Sequence, residues 1–269
     1  HLERWFAHVD SLPAFANAAA AMADAKSTMY SKKKTAAGFD LFLQGAREGS
    51  VVTRFPPEAS GYLHVGHAKA AILNQYFAQA YKGRLIVRFD DTNPSKEKQE
   101  YEDAIIEDLA LLGIKPNNVS HTSDYFDQLY ELALRLIREG KAYADDTAQE
   151  QMRAERMDGI ASQRRSASVD ENLARFAEMC SGSAEGQRWC LRAKMSVDNP
   201  NKAMRDPVIY RCNAEVPHAR SGTKWKVYPT YDFACPVTDS LEGVTHALRT
   251  NEYLSLIHIS EPTRLGMIS

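Results

Sequence analysis

The sequence lacks an apolar run that could cross a membrane, which requires ~18 or more consecutive apolar residues. It also lacks a signal peptide, because the opening residues HLERWFAHVD do not have that pattern. We therefore expect a cytoplasmic protein with no membrane partner. The first residue is His1 rather than Met, so we also expect this chain to be a fragment of a longer protein.

Cysteine is scarce, and the chain has no excess of basic over acidic residues. The 269 residues include four cysteines, and none has the Cys-x-x-Cys spacing of zinc sites. We expect reduced cysteines, no disulfide framework, no protein-bound zinc and no metal ligands. The net charge is −2 and the pI about 6.5, so composition does not indicate a nucleic-acid binder, although a basic face can coexist with an acidic remainder.

A strand, a tight loop and a helix start are predicted in the stretch VVTRFPPEASGYLHVGHAKA, residues 51–70. Val51, Val52 and Phe55 form a β-rich apolar run, two prolines end it, and residues 68–79 have a helical pattern. A strand that leads into a helix N-terminus points free N–H groups and the positive end of the helix dipole at a ligand. The stretch therefore favours binding of an anionic phosphate.

Two histidines, His64 and His67, flank this turn. The tetrapeptide His-x-Gly-His alone is more often structural than catalytic, but its context is specific. With RFPPEASGYL before it and HAKA after it, the run resembles the first signature of class I aminoacyl-tRNA synthetases. Within that family it is similar to the glutamyl/glutaminyl branch, and Ala59, where many relatives have proline, is typical of the eukaryotic cytosolic glutamyl type. Val65 replaces the more usual isoleucine.

The resemblance implies that His64 and His67 are catalytic, stabilising charge on the phosphates of ATP. It also implies a set of ATP-binding residues along the motif and one beyond it: Glu58, Ala59, Ser60, Gly61, His64, Val65, Gly66, His67, Ala68, Lys69, Ala70 and Thr250.

A second strand is predicted over residues 83–89, followed by Asp90 and Asp91. Ligands bind at the carboxyl ends of strands in a doubly wound parallel sheet, so these carboxylates are placed to meet a substrate. Paired carboxylates at a strand end can equally cap the next helix. The resemblance implies that Asp90 holds the α-ammonium group of the amino acid and that Asp91 is structural.

A second match covers VYPTYDFACPVTDSLEGVTHALRTNEY, residues 227–253. It implies that Tyr231 lines the amino-acid pocket and that Arg54, at the end of the first strand, contacts the substrate carboxylates. Three further residues are implied to be framework or tRNA-end contacts: Asp239, Glu242 and His246.

The resemblance implies that Arg249 distinguishes glutamate from glutamine. Burial of the γ-carboxylate of glutamate requires a cationic partner, preferably a bidentate one. The glutaminyl enzymes have cysteine at the matching position. A charge-assisted contact of ~1.5 to 3 kcal/mol corresponds to roughly 10- to 150-fold discrimination, so we predict a glutamate pocket formed by Arg54, Asp90, Tyr231 and Arg249.

The fold predicted from these patterns is α/β. Strands alternate with helical patterns over residues 97–112 and 123–139, which indicates a Rossmann-like half. A more polar, charge-rich segment follows, and the resemblance implies that it is an inserted α+β domain that binds the tRNA acceptor end. Lys194-Met195-Ser196 resembles the second class I signature but lacks its second lysine, so we expect an ordinary strand there.

The two ends of the chain have their own patterns. Leu2, Trp5, Phe6 and Val9 predict an amphipathic helix that resembles the end of a glutathione-transferase-like domain, or that simply packs on the main domain. LSLIHISEPTR, from residue 254, matches a translated transposase-type sequencing adapter. We expect six segments: a glutathione-transferase-like remnant (1–23), a linker (24–47), the first Rossmann half (48–141), the inserted domain (142–216), the start of the second half (217–253) and an adapter artefact (254–269).

The resemblance implies ATP-dependent ligation of glutamate to tRNA-Glu through a glutamyl-adenylate, with ATP and Mg²⁺ as substrates. It also implies other synthetases or translation factors as partners of the N-terminal helix. The chain as given, without the second signature, is expected to be inactive. Two alternatives remain: a glutaminyl or dual-specificity synthetase, and a non-catalytic fragment that binds tRNA or other synthetases.

Overall fold

The computed structural model describes residues 43–248. Several expectations lie outside this part of the chain, namely the N-terminal helix, most of the linker, Arg249, Thr250 and the tail from residue 254. The chain divides into two units, residues 1–45 and 46–269, and the architecture below belongs to the second.

A parallel three-stranded sheet forms the first layer of this unit. Its strands are β1 (Val52–Phe55), β2 (Arg84–Phe89) and β3 (Asn118–His121), in the order β1-β2-β3. Helix α1 (Val65–Ala80) connects β1 to β2, and α2 (Gln99–Leu111) connects β2 to β3. The β-α-β-α alternation expected from the sequence is confirmed, and β3 is a further parallel strand that the sequence did not predict.

Gly83 closes the turn between α1 and β2. A Cβ atom at this position would lie 1.9 Å from the carbonyl oxygen of Val51, and Arg84 donates its backbone N–H to the same oxygen at 2.8 Å. Only glycine permits this approach, so the start of β2 is fixed beside β1.

An antiparallel four-stranded sheet follows helix α3 (Phe126–Arg138). Its strands pair in chain order: β4 (Ala142–Asp145), β5 (Cys190–Ala193), β6 (Val208–Cys212) and β7 (Val227–Pro229). Two helices, α4 (Gln149–Asp158) and α5 (Val169–Ser181), lie between β4 and β5 in the chain.

Strand β7 lies past residue 216, where we expected the inserted segment to end. Tyr210 of β6 pairs with Pro229 of β7, and Cys212 pairs with Val227. The expected boundary therefore cuts through one hydrogen-bonded sheet, and the antiparallel region extends to residue 229. Helix α6 (Tyr231–Leu241) begins immediately afterwards.

The tripeptide 194–196 differs in part from the expected strand. Strand β5 ends at Ala193, and the backbone N–H of Met195 donates to the Asp206 carboxylate at 2.7 Å instead of to a neighbouring strand. Ser196 forms only an isolated bridge with Arg205. The Asp206 side chain therefore takes the place of a neighbouring strand as the hydrogen-bond acceptor at Met195.

Two clusters of buried apolar side chains hold the layers together. One lies between the parallel sheet and its helices and includes Phe55, Val87 and Ile105. The other packs α3, α5 and α6 against the antiparallel sheet, with Phe126 and Phe176 at most 3% exposed. Within residues 43–248, the helices are all too short or too polar to cross a membrane.

Candidate active site

A cleft of about 450 Å³ lies at the carboxyl ends of β1 and β2. It is bounded by the segment after β1, by one face of α1, by the residue after β2 and by the start of α6. The lining residues are Arg54, Phe55, Pro56, Pro57, Glu58, His67, Ala70, Asn74, Asp90, Tyr231 and Leu248. The fold therefore brings together Arg54, Asp90 and Tyr231, three of the four residues that the sequence assigned to amino-acid binding.

The two histidines form a reciprocal cap at the N-terminus of α1. The Nδ1 atom of His64 accepts the Gly66 N–H at 3.0 Å, and Nδ1 of His67 accepts the His64 N–H at 3.4 Å. The rings stack with centroids 3.8 Å apart. Because each Nδ1 accepts a backbone proton, each ring carries its own proton on Nε2, which can donate to an anion.

Burial lowers the pKa of His67, and the adjacent His64 ring lowers it further. His67 is therefore a neutral hydrogen-bond donor at neutral pH, and it lines the cleft. The cap thus sets both the position and the donor atom of the second histidine.

Gly66 leaves room for this cap. A Cβ atom there would lie 2.8 Å from Cε1 of the His64 ring, so a side chain would displace the capping imidazole. Gly61 is different, because a Cβ there would meet no atom of residues 43–248 within 4 Å. Packing among the described residues gives no reason for glycine at 61, whereas a ligand that approaches the backbone would give one.

Asp90 is held in place through its backbone, and the pKa of its carboxyl group is unusual. Its N–H donates to the Pro57 carbonyl at 2.9 Å, which joins the end of β2 to the end of β1. The Thr92 hydroxyl donates to its carboxylate at 2.9 Å. Burial raises the pKa of Asp90 to about 6, and the neighbouring Asp91 and Glu58 carboxylates raise it further against the effect of the Thr92 bond. A bound cation would stabilise the carboxylate form.

Asp91 has a different environment from Asp90. It is 7% exposed, and its Oδ1 accepts the Ser123 N–H at 2.8 Å. This bond ties the loop after β2 to the turn after β3. The contacts of Asp91 are therefore those of a framework residue.

A buried ionic network anchors α6 to the parallel sheet. The Nε atom of Arg54 lies 3.1 Å from both Asp239 oxygens, and Nη2 of Arg88 lies 2.5 Å from Oδ1 of Asp239. Nη1 of Arg88 contacts Glu242 at 2.6 Å. Two guanidinium groups thus face two carboxylates with their charges balanced, which burial requires.

Glu242 is held further by the hydroxyl groups of Ser120 and Tyr125. Burial lowers the pKa of Arg88, but Asp239 and Glu242 outweigh this effect and shift the pKa upward. The network fixes the direction of α6, whose first residue is Tyr231. It therefore positions an aromatic ring at the cleft from the opposite end of the helix.

The residues assigned to ATP binding are distributed around one end of α1. Glu58, His67 and Ala70 line the cleft, while Ser60, His64, Val65, Gly66 and Lys69 are exposed beside it. Ala59 differs from the others, because its side chain is 5% exposed and packs in the apolar cluster. Thr250 and Arg249 lie beyond the described residues, whereas Leu248 reaches the cleft and accepts a hydrogen bond from Arg54.

Sequence analysis did not identify Arg88 or Glu97. Arg88 interrupts the apolar run LIVRF, and a charged residue within a buried strand requires a charged partner, so the pattern contained a signal. Glu97 accepts the Asn93 N–H at 2.6 Å, and burial raises its pKa to about 8. No local pattern marks Glu97, because its burial results from the way the loop between β2 and α2 folds back on itself. Asp239 and Glu242 were expected as framework or tRNA-end contacts, and their observed partners are within the framework.

Comparison with known proteins identifies the family. Residues 50–258 match the profile described as tRNA synthetases class I (E and Q), catalytic domain. The chain is 56% identical over 261 residues to the cytoplasmic glutamate–tRNA ligase of Saccharomyces cerevisiae, covering 94% of this chain and 37% of that protein. It is 52% identical over 265 residues to the bifunctional glutamate/proline–tRNA ligase of Drosophila melanogaster, covering 94% and 15%. The chain thus spans about a third, or less, of the length of the curated relatives it matches.

A solved structure supports the same fold. The glutamate–tRNA synthetase of Elizabethkingia anophelis superposes with a TM-score of 0.57 at 22% identity, covering 81% of this chain and 48% of that one. The likeness to the eukaryotic cytosolic glutamyl branch that the motifs indicated is confirmed, as is the Rossmann-like class I fold. Since the profile covers most of the chain and contains the whole cleft, the chain belongs to the class I tRNA synthetases of the glutamate and glutamine group.

Proposed function

We propose that the protein ligates glutamate to tRNA-Glu in two steps, through a glutamyl-adenylate. The observation that carries this proposal is the cleft, in which Arg54, Asp90 and Tyr231 lie beside His67 and the N-terminus of α1. An amino-acid site and a phosphate site are thus adjacent, as adenylate formation requires.

The phosphate side of the cleft is supported by the geometry of α1. The helix N-terminus attracts anions, and His64 and His67 have Nε2–H groups available to donate to phosphate oxygens. ATP enters as its Mg²⁺ complex, so the metal belongs to the substrate. Gly61 and Gly66 let the nucleotide lie against the backbone.

The charged residues of the cleft support the proposed amino-acid site. The Asp90 carboxylate would bind the α-ammonium group, and the ammonium would in turn favour the charged form of Asp90. Arg54 lines the cleft and orients the α-carboxylate, and its guanidinium group also forms an ion pair with Asp239. Tyr231 packs on the side chain, and Arg249 pairs with the γ-carboxylate.

The reaction follows from this arrangement. An oxygen of the glutamate α-carboxylate attacks the α-phosphorus of ATP, the bond to the β-phosphate oxygen breaks, and pyrophosphate leaves. A terminal hydroxyl of tRNA-Glu then attacks the activated carbonyl, and AMP leaves.

The antiparallel region of residues 142–229 binds the acceptor end. The names of the relatives support a cytoplasmic location, and the bifunctional glutamate/proline relatives support linkage to another synthetase. The resemblance of the N-terminal residues to a glutathione-transferase-like domain is the basis for proposing partners there.

The test is pyrophosphate exchange with the full-length protein and tRNA, using glutamate and glutamine as separate substrates. We expect exchange with glutamate and none with glutamine. Arg249→Cys should lower kcat/KM for glutamate roughly 10- to 150-fold while the KM for ATP changes little. Arg135→Cys replaces an arginine on the exposed face of α3 and should leave glutamate kinetics unchanged.

Each alternative predicts a different result. Wild-type exchange with glutamine would favour a glutaminyl or dual-specificity enzyme. Tight tRNA binding without exchange for either amino acid would favour a non-catalytic binding protein.

A further inference from the structure

The loop between β6 and β7, residues 213–226, reaches the end of β2 and carries a fully buried histidine. His218 is 1% exposed, and its ring packs against the Tyr228 and Phe126 rings, with centroids 5.9 and 5.4 Å away; these two rings also contact each other. Its Nε2 atom lies 2.8 Å from the carbonyl oxygen of Asp91. A residue of the antiparallel region thus contacts the backbone immediately after Asp90.

Hydrogen bonds define the donor atom of His218. Nδ1 accepts the N–H groups of Arg220 and Ser221 at 3.2 and 3.1 Å, so it carries no proton of its own. The ring proton is on Nε2, which donates to the Asp91 carbonyl. A bridge between His218 and Gly222 closes the loop around this ring.

A second contact holds the same loop on its exposed side. Nη1 of Arg220 donates to the Ser123 hydroxyl at 2.5 Å and lies 2.8 Å from the Asp124 carboxylate. The Ser123 N–H in turn donates to Asp91. The loop therefore clamps the segments after β2 and β3 together.

The Asp90 carboxylate depends on its backbone for its direction. Within the described residues, the carboxylate accepts a hydrogen bond from Thr92, which lies in the same loop and moves with it. The backbone is held on one side by Pro57, which accepts the Asp90 N–H, and on the other by His218. Loss of either contact would let the carboxylate turn out of the cleft.

We propose that His218 is a positioning residue, which holds Asp90 in the direction needed to bind the ammonium group of the amino acid. The proposal rests on the proposed function of Asp90. It makes the β6–β7 loop part of the amino-acid site, although no residue of that loop lines the cleft.

The experiment compares His218→Phe with His218→Gln in the full-length protein. Phenylalanine keeps an aromatic ring in contact with Tyr228 and Phe126 but cannot donate, whereas the glutamine amide can donate from nearly the place of Nε2. KM values for glutamate and ATP are measured by pyrophosphate exchange, and amide hydrogen exchange is followed over residues 90–96. Lys224→Ala is the control, because it removes exposed contacts of the same loop, an ion pair with Asp127 and a cation–π contact with Trp225, and leaves the His218 contacts in place.

We expect His218→Phe to raise the KM for glutamate about tenfold, to change the KM for ATP by less than about twofold, and to speed amide exchange at residues 90–96. His218→Gln should recover most of the glutamate affinity, and Lys224→Ala should match the wild type. Arg220→Ala, on the exposed side of the loop, should shift the glutamate KM in the same direction by about threefold and provides the test if the phenylalanine variant does not fold.

An unchanged glutamate KM in the variants that fold would overturn the proposal. So would equal increases in the KM values for glutamate and ATP, or equal defects in the phenylalanine and glutamine variants, since these indicate only lost packing. If the wild-type protein shows no glutamate-dependent exchange, the proposed function itself fails, and this proposal fails with it.

Discussion

Replacement of Asp239 by alanine should destabilise the protein strongly. The side chains of Arg54 and Arg88 are each 2% exposed, and both contact this single carboxylate. Asp239→Ala leaves Arg88 with Glu242 but removes the ion-pair partner of Arg54. Removal of one partner of a buried ion pair costs about 3 to 5 kcal/mol, because the remaining charge cannot be solvated. That loss is a large part of the roughly 5 to 15 kcal/mol that holds a typical domain folded.

The assay is urea unfolding of the chain, followed by circular dichroism, with Asp127→Ala as the matched control. Asp127 pairs with Lys224 on the surface, where the two side chains are 74% and 57% exposed, so its loss should cost less than about 1 kcal/mol. Asp239→Asn, which keeps the shape and one acceptor, should lie between the two. If Asp239→Ala and Asp127→Ala have the same free energy of unfolding within about 1 kcal/mol, the network does not hold α6 as argued.

Two further predictions concern the cleft. Gly66→Ala should displace the His64 ring and lose the cap, which costs about 1 kcal/mol of stability and raises the KM for ATP, whereas Gly61→Ala should leave the melting temperature unchanged. Glutamate binding should weaken as the pH falls through about 6, because the raised pKa of Asp90 removes its negative charge at a higher pH than that of an ordinary carboxyl group. The KM for glutamate, measured between pH 5 and 8, should rise at the acidic end in the wild type and stay high and flat in Asp90→Asn. A wild-type profile without that rise would contradict the ammonium assignment.

Local patterns were sufficient for much of the first half of the fold. Periodicity predicted β1, α1, β2 and α2 in order, since each element is formed by neighbouring residues, whereas the four residues of β3 were not predicted as a strand. Helix α1 begins earlier than its apolar pattern, at Val65, because a side-chain cap from His64 replaces apolar contacts in the first turn. Strand β7 was not predicted, because three residues carry little periodicity and depend on β6 for their hydrogen bonds.

The sequence by itself identified the family and predicted a phosphate-binding turn and the candidate amino-acid residues, because each of these rests on short local motifs. Only the tertiary structure decided which of those residues share a cleft and what holds them there. Asp239 lies 185 positions from Arg54, and His218 lies 127 positions from Asp91. Such contacts form when buried charges and donors find partners during packing, and no local pattern in the sequence identifies which partner each one takes.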